Sequence, residues 1–182
     1  MGKVYVFLAD GFEEVEALTP VDMLRRGSLT VVTVSVSGRR EVSGSHGIQV
    51  TADCLFEEAS FGDAAALVLP GGLPGTVHLE EHEALCALLT EMAASDTILA
   101  AICAAPRVLG RLGLLEGKTA VCYPGNEALL KGAELGKDNV AVDGRVVTAN
   151  ACGAAMPFAL TLLGMLAGEE TAQKVASSVL WK

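Results

Sequence analysis

Apolar and polar positions follow two different rhythms along this chain. "KVYVFLA" (3–9), "LTVVTVSV" (29–36), "AAALVLP" (64–70), "TILAAI" (97–102) and "TAVCY" (119–123) are short β-branched or apolar runs bounded by Gly, Pro, Asp or Ser, which predicts strands. Most are apolar throughout, as strands buried on both faces of a parallel sheet are. Between them the period changes. Leu85, Leu88, Leu89 and Met92 recur at i, i+3, i+4 and i+7, the stripe of one helix near 77–94. Further helices fit 14–26, 104–113, 125–131 and 153–167. Two extended decorations complete the pattern: "DGRVVTA", whose Asp143-Gly144 pair suits a type I′ hairpin turn, and the glycine-punctuated "VSGSHGIQV" at 42–50.

Strand alternating with helix predicts an α/β fold with a mostly parallel central sheet and right-handed crossovers. The 182 residues carry no repeat, linker or low-complexity tract, and a 51% hydrophobic content suffices for one core, so a single domain spanning 1–182 is expected. The net charge of −9, from 22 acidic against 13 basic residues, argues against nucleic acid as a partner, because binding phosphates needs a basic face. The first apolar run is too short for a signal-peptide core and soon meets Asp10, and no later run is long enough to cross a bilayer. A soluble, cytoplasmic protein without a membrane partner is expected. Five cysteines, none in a C-x-x-C pair, argue against a disulfide framework or a zinc knuckle.

Ligands of open parallel sheets collect at the carboxyl ends of strands. Four segments qualify: "ADGFEEVE", "PGGLPG", "CAAP" and "CYPGNE". In "ILAAICAAPRVLG" (98–110) the strand stops at Cys103, and Pro106 suits the first turn of the next helix. A thiol at such a turn lies near free helix N–H groups that lower its pKa; the competing reading is a small buried hydrophobe. The N–H groups of Ala104 and Gly72 are candidate oxyanion donors, against a plain glycine turn. Of the three acids Glu13, Glu14 and Glu16, any one alone reads as a solvated helix-start carboxylate, unless one turns inward against the thiol as a general acid/base.

"HLEEH" (78–82) matches the H-x-x-E-H pattern of a metalloprotease class, but such sites need a third protein ligand and only His46 remains among the histidines. No metal is expected. Without G-x-G-x-x-G or a Walker lysine, no nucleotide cofactor is suggested either. Cys152 in "TANACGAAMPFAL" is a rival thiol or a resolving cysteine, while Cys54, Cys86 and Cys122 read as structural.

"AAICAAP", "VLPGG" (68–72) and "ADGFEEVEALTPVDMLRRG" (9–27) together resemble the ThiJ/PfpI superfamily, and closely its DJ-one branch of Parkinson-associated, deglycase-like proteins, from Lys3 to about Leu180. The resemblance implies a flavodoxin-like three-layer sandwich with the cysteine at a nucleophile elbow. It implies Cys103 as nucleophile, Glu16 as the carboxyl group bonded to it, and Gly72 and Ala104 as oxyanion amides. A homodimer contacting near the first helix is also implied. Departures are equally informative. Ala104 stands where protease-like members have histidine, Tyr123-Pro124 replaces His-Pro, His46 takes an arginine position, and "NACGAA" replaces a Gly-Pro-Gly-like wall containing Cys152. Peptide hydrolysis is therefore disfavoured. Two functions remain: a cofactor-free glyoxalase or deglycase acting on small carbonyls such as methylglyoxal, or a sensor or protective binding protein switched by oxidation of Cys103.

Overall fold

Strand β1 (Lys3–Leu8) explains the layering. Its side chains alternate between faces, with Val4, Val6 and Leu8 in one apolar core and Tyr5, Phe7 and the following Ala9 in another. Each fully buried Val, Leu or Phe contributes roughly 1.5–3 kcal/mol, which is why a run with no polar face stays central. The computed structural model describes residues 2–182. After β1 come α1 (Glu14–Arg26), β2 (Val31–Ser35), the hairpin β3 (Glu41–Ser43) and β4 (Gln49–Thr51), β5 (Cys54–Leu55) and β6 (Ala64–Leu69). Then follow α2 (Gly75–Glu81), α3 (Glu83–Met92), β7 (Ile98–Ile102), α4 (Pro106–Arg111), β8 (Thr119–Ala120), β9 (Glu134–Leu135), β10 (Val140–Asp143), β11 (Val146–Ala149), α5 (Ala155–Ala167) and α6 (Glu169–Ser178).

Seven strands form the central sheet in the order β10-β11-β7-β6-β1-β2-β5, and only β10 is antiparallel to its neighbour. Helices α1, α5 and α6 bury Leu24, Phe158, Leu162 and Val175 on one face, while α2, α3 and α4 bury Leu79, Leu85, Leu89 and Val108 on the other. This is the expected three-layer sandwich, and the carboxyl ends of β1, β6, β7 and β11 lie side by side along one edge.

Helix α1 has the expected limits, with acids in its first turn and Arg25 and Arg26 in its last, matching the helix dipole. The stretch 77–94 is two helices rather than one. His82 is extended (φ −77°, ψ 94°) and its Nδ1 accepts from the Leu85 N–H at 3.1 Å, so a side-chain cap starts α3 afresh. The 119–123 strand shrinks to Thr119–Ala120 and pairs with β9 outside the central sheet. Its later donors are taken elsewhere, the Val121 N–H by Thr148 Oγ1 and the Tyr123 N–H by the Cys103 carbonyl. At 125–131 there is only a short 3₁₀ turn, Glu127–Leu129, between left-handed Gly125 and Gly132.

Asp143 pairs with Val146, which leaves Gly144 and Arg145 as the turn centre. Only the glycine has positive φ there, so the turn is of the II′ kind and not I′. Helix α6 follows left-handed Gly168 and buries only Ala172 and Val175, too thin an apolar stripe for periodicity to register.

Candidate active site

Cys103 occupies the expected elbow between β7 and α4. Its φ is 65°, a left-handed conformation that costs a non-glycine residue of order 1–3 kcal/mol and persists only where the surroundings impose it. They do so here: its N–H donates to the Ala149 carbonyl and its carbonyl accepts from the Tyr123 N–H, both at 2.8 Å. Strand β11 and the loop after β8 thus clamp the elbow from two sides.

Glu16 arrives from the first turn of α1 and is only 1% exposed. One oxygen, Oε2, accepts from the Gly71 N–H at 3.0 Å, and the carboxyl group is electrostatically coupled to the Cys103 thiol. Gly71 makes the approach possible. A β-carbon there would lie 2.5 Å from Glu16 Oε2 and 2.7 Å from Cys103 Cβ. Gly72 has φ 90°, and its loop is held by Glu13 N–H to Gly71 O at 2.9 Å and Thr76 N–H to Gly72 O at 2.9 Å. The N–H groups of Gly72 and Ala104 favour the charged form of Cys103, and Gly71 lies between Cys103 and Glu16.

Burial pushes the Glu16 carboxyl up to about 7, the Glu13 charge adds to this, and bonds from the Cys103 thiol and Gly71 oppose it. Cys103 departs from expectation. Burial foremost, then the Glu16 charge and its hydrogen bond, push the thiol up to about 12, outweighing the Ala104 and Gly72 amides that pull it down. Two negative charges cannot share this space. The pair is one titrating unit, and in its singly protonated form the proton sits either on sulfur or on Glu16.

The remaining candidates lie outside this contact. Tyr123 is half exposed and meets Cys103 through its backbone. Cys152 is exposed in the 3₁₀ turn Cys152–Ala154 after β11. Cys122 is buried, and burial lifts its thiol to about 11. His46 sits between β3 and β4, where its N–H donates to Glu14 Oε1 at 2.8 Å and its Nδ1 lies 3.0 Å from Glu14 Oε2. Glu14 is therefore not a solvated acid but 4% exposed; burial opposes its charge, yet His46 and the amides of His46 and Ile48 hold it down at about 2. In "HLEEH", His78 Nδ1 donates to the Asp10 carbonyl at 2.9 Å. The His82 cap keeps Nδ1 as acceptor, so the neutral ring carries its proton on Nε2.

Residues 2–165 match the DJ-1/PfpI family. The chain belongs to that family. Among DJ-1/PfpI relatives, DJ-1 homolog B of Arabidopsis thaliana is 36% identical across 99% of this chain, which covers 42% of that protein. The chain thus spans less than half the length of the Arabidopsis relatives it matches. A Pyrococcus abyssi protein named a deglycase is 33% identical over 83% of this chain and 91% of its own length. The solved structure of oxidized Toxoplasma gondii DJ-1 superposes with a TM-score of 0.95 at 36% identity, covering 100% of this chain and 99% of that one. No helix among the described residues is long and apolar enough to cross a membrane.

Proposed function

We propose that this chain is a cysteine-dependent enzyme of small reactive carbonyls, converting methylglyoxal-type dicarbonyls to hydroxy acids and reversing the corresponding glycated adducts. The observation that carries this reading is the close pairing of Cys103 with the buried Glu16 across Gly71, each shifting the titration of the other. Sulfur adds to the aldehyde carbon as the thiol proton passes to Glu16, and the Gly72 and Ala104 amides receive the developing alkoxide. Glu16 then returns that proton to the alkoxide, giving a hemithioacetal, and removes the hydrogen on the former aldehyde carbon. Reprotonation at the neighbouring carbon yields a thioester, and water hydrolyses it to the hydroxy acid with release of the thiol. Net consumption is one dicarbonyl and one water. A glycated amine or thiol enters by the same attack and leaves as the free group.

The test is glutathione-free turnover of methylglyoxal with lactate quantified, for wild type and Cys103→Ser. A wild-type rate no better than buffer overturns the reading. Peptide hydrolysis is a poor third, since Ala104 supplies no base. Five free thiols suit a reducing compartment, the cytoplasm. We take exposed Val15 and Ile48, flanking Leu18 and Met156, as the homodimer contact, to be tested by sedimentation.

The oxidized Toxoplasma relative supports a second reading, in which Cys103 is a redox switch. A protonated Glu16 and the two amides would hold a sulfinate. Mild peroxide should then add two oxygens selectively at Cys103, read by intact mass; scattered oxidation over several thiols refutes it.

A further inference from the structure

A second cluster lies where the β3–β4 turn meets the start of α1. Four donor atoms converge there. His46 Nδ1 is 3.0 Å from Glu14 Oε2 and 3.4 Å from Glu13 Oε2. Ser45 Oγ is 3.1 Å from Glu13 Oε2, 3.4 Å from Glu14 Oε2 and 3.1 Å from His46 Nδ1. Tetrahedral zinc with nitrogen and oxygen ligands at 2.0–2.2 Å needs donors about 3.3–3.6 Å apart, close to these five separations, and the Glu13, Glu14 and His46 donor atoms all lie within 4.8 Å of one another. The donor chemistry also fits, with an imidazole, two carboxylates and a hydroxyl.

The surroundings favour a cation at the centre. The Glu13 and Glu14 side chains are only 18% and 6% exposed, whereas that of His46 is 68% exposed, so two shielded acids face one side chain open to solvent. An imidazolium proton on Nδ1 can bond directly to only one of the two carboxylate oxygens, while a dication contacts both. The second Glu14 oxygen is already fixed by the His46 N–H at 2.8 Å and the Ile48 N–H at 3.3 Å, the outer-shell support that metal-binding carboxylates require. Gly44 leaves the room, because a β-carbon there would strike the Glu14 carboxylate.

We propose that Glu13, Glu14 and His46, with Ser45 as fourth donor, form a zinc-class divalent metal site that pins the β3–β4 hairpin onto the start of α1. It adjoins the Cys103 centre, since the Glu13 N–H donates to the Gly71 carbonyl at 2.9 Å, and its role is structural. The test uses the chelator-treated full chain titrated with zinc against a chromophoric chelator, then with cobalt for its visible spectrum. The expected result is one equivalent bound at micromolar affinity or tighter, with the intense visible bands of tetrahedral cobalt. Cys103→Ser/Cys152→Ser should bind equally, which excludes the accessible thiols as ligands. Glu13→Gln and His46→Gln, at more exposed positions than Glu14, should each weaken binding at least tenfold and abolish the zinc-dependent rise in Tm. Absence of stoichiometric binding overturns the site, as does binding that survives both substitutions or vanishes with the cysteines.

Discussion

Gly71→Ala tests the reactive pair by a single methyl group. Gly71 is not among the residues of positive φ, so alanine fits the backbone and keeps the N–H that Glu16 accepts. Only the side chain intrudes, 2.5 Å from Glu16 Oε2, 2.7 Å from Cys103 Cβ and 3.0 Å from the Ile102 carbonyl. Ordinary carbon contacts are about 3.5–4.0 Å, so the thiol and the carboxyl must separate by about 1 Å, with the end of β7 blocking retreat on the third side. Overpacking of this kind costs about 1–3 kcal/mol of stability. A 1 Å misplacement of reacting groups costs about 10²-fold in rate, equivalent to about 2.7 kcal/mol of transition-state stabilisation. The assay is kcat/KM for methylglyoxal alongside urea unfolding. A folded Gly71→Ala variant within twofold of wild type would refute the claim that the Cys103–Glu16 contact is used in turnover.

Glu16→Gln keeps the Gly71 bond but removes the charge; turnover should fall about 10²–10⁴-fold. Its Cys103 should also alkylate at lower pH than in wild type, since a neighbouring carboxylate no longer resists thiolate formation. In chelator-treated protein, a Glu16 value of about 7 when folded against the ordinary 4.5 means that the folded state binds more protons between these values. Stability therefore falls as pH rises through that window, by about 3 kcal/mol in full, and urea midpoints for Glu16→Gln should lack this slope. Cys103→Gly should be more stable than Cys103→Ala by about 1 kcal/mol, reversing the usual order, because φ is 65° and only glycine adopts it freely.

The central sheet was legible because β1, β6 and β7 are unbroken apolar runs, and the elbow because an apolar strand ends on a thiol three residues before a proline. Side chains that substitute for backbone partners were not legible: the His82 cap that splits 77–94, or Thr148 Oγ1, which takes a donor from the expected 119–123 strand. In "PGG" the second glycine was the visible candidate, yet the first lies between thiol and carboxylate; adjacent glycines alone do not indicate which one admits a neighbour. Glu14 and His46 are 32 residues apart, so no local spacing revealed the bond that keeps that acid out of solvent. The direction of the Cys103 shift depends on a three-dimensional balance of burial, one carboxylate and two amides.

The reactive centre is distributed over the ends of four adjacent strands, with Gly71 55 positions after Glu16, Cys103 later still, and the Ala149 carbonyl that fixes the elbow contributed by β11. During synthesis on the ribosome, a chain that has emerged only as far as α4 already carries its cysteine but not the strand that orients it. Until β11 docks, Cys103 behaves as an ordinary flexible thiol. Thiol chemistry specific to the finished site is thus acquired late in the life of each new molecule, and it doubles as an internal marker that the sheet has closed to its penultimate strand.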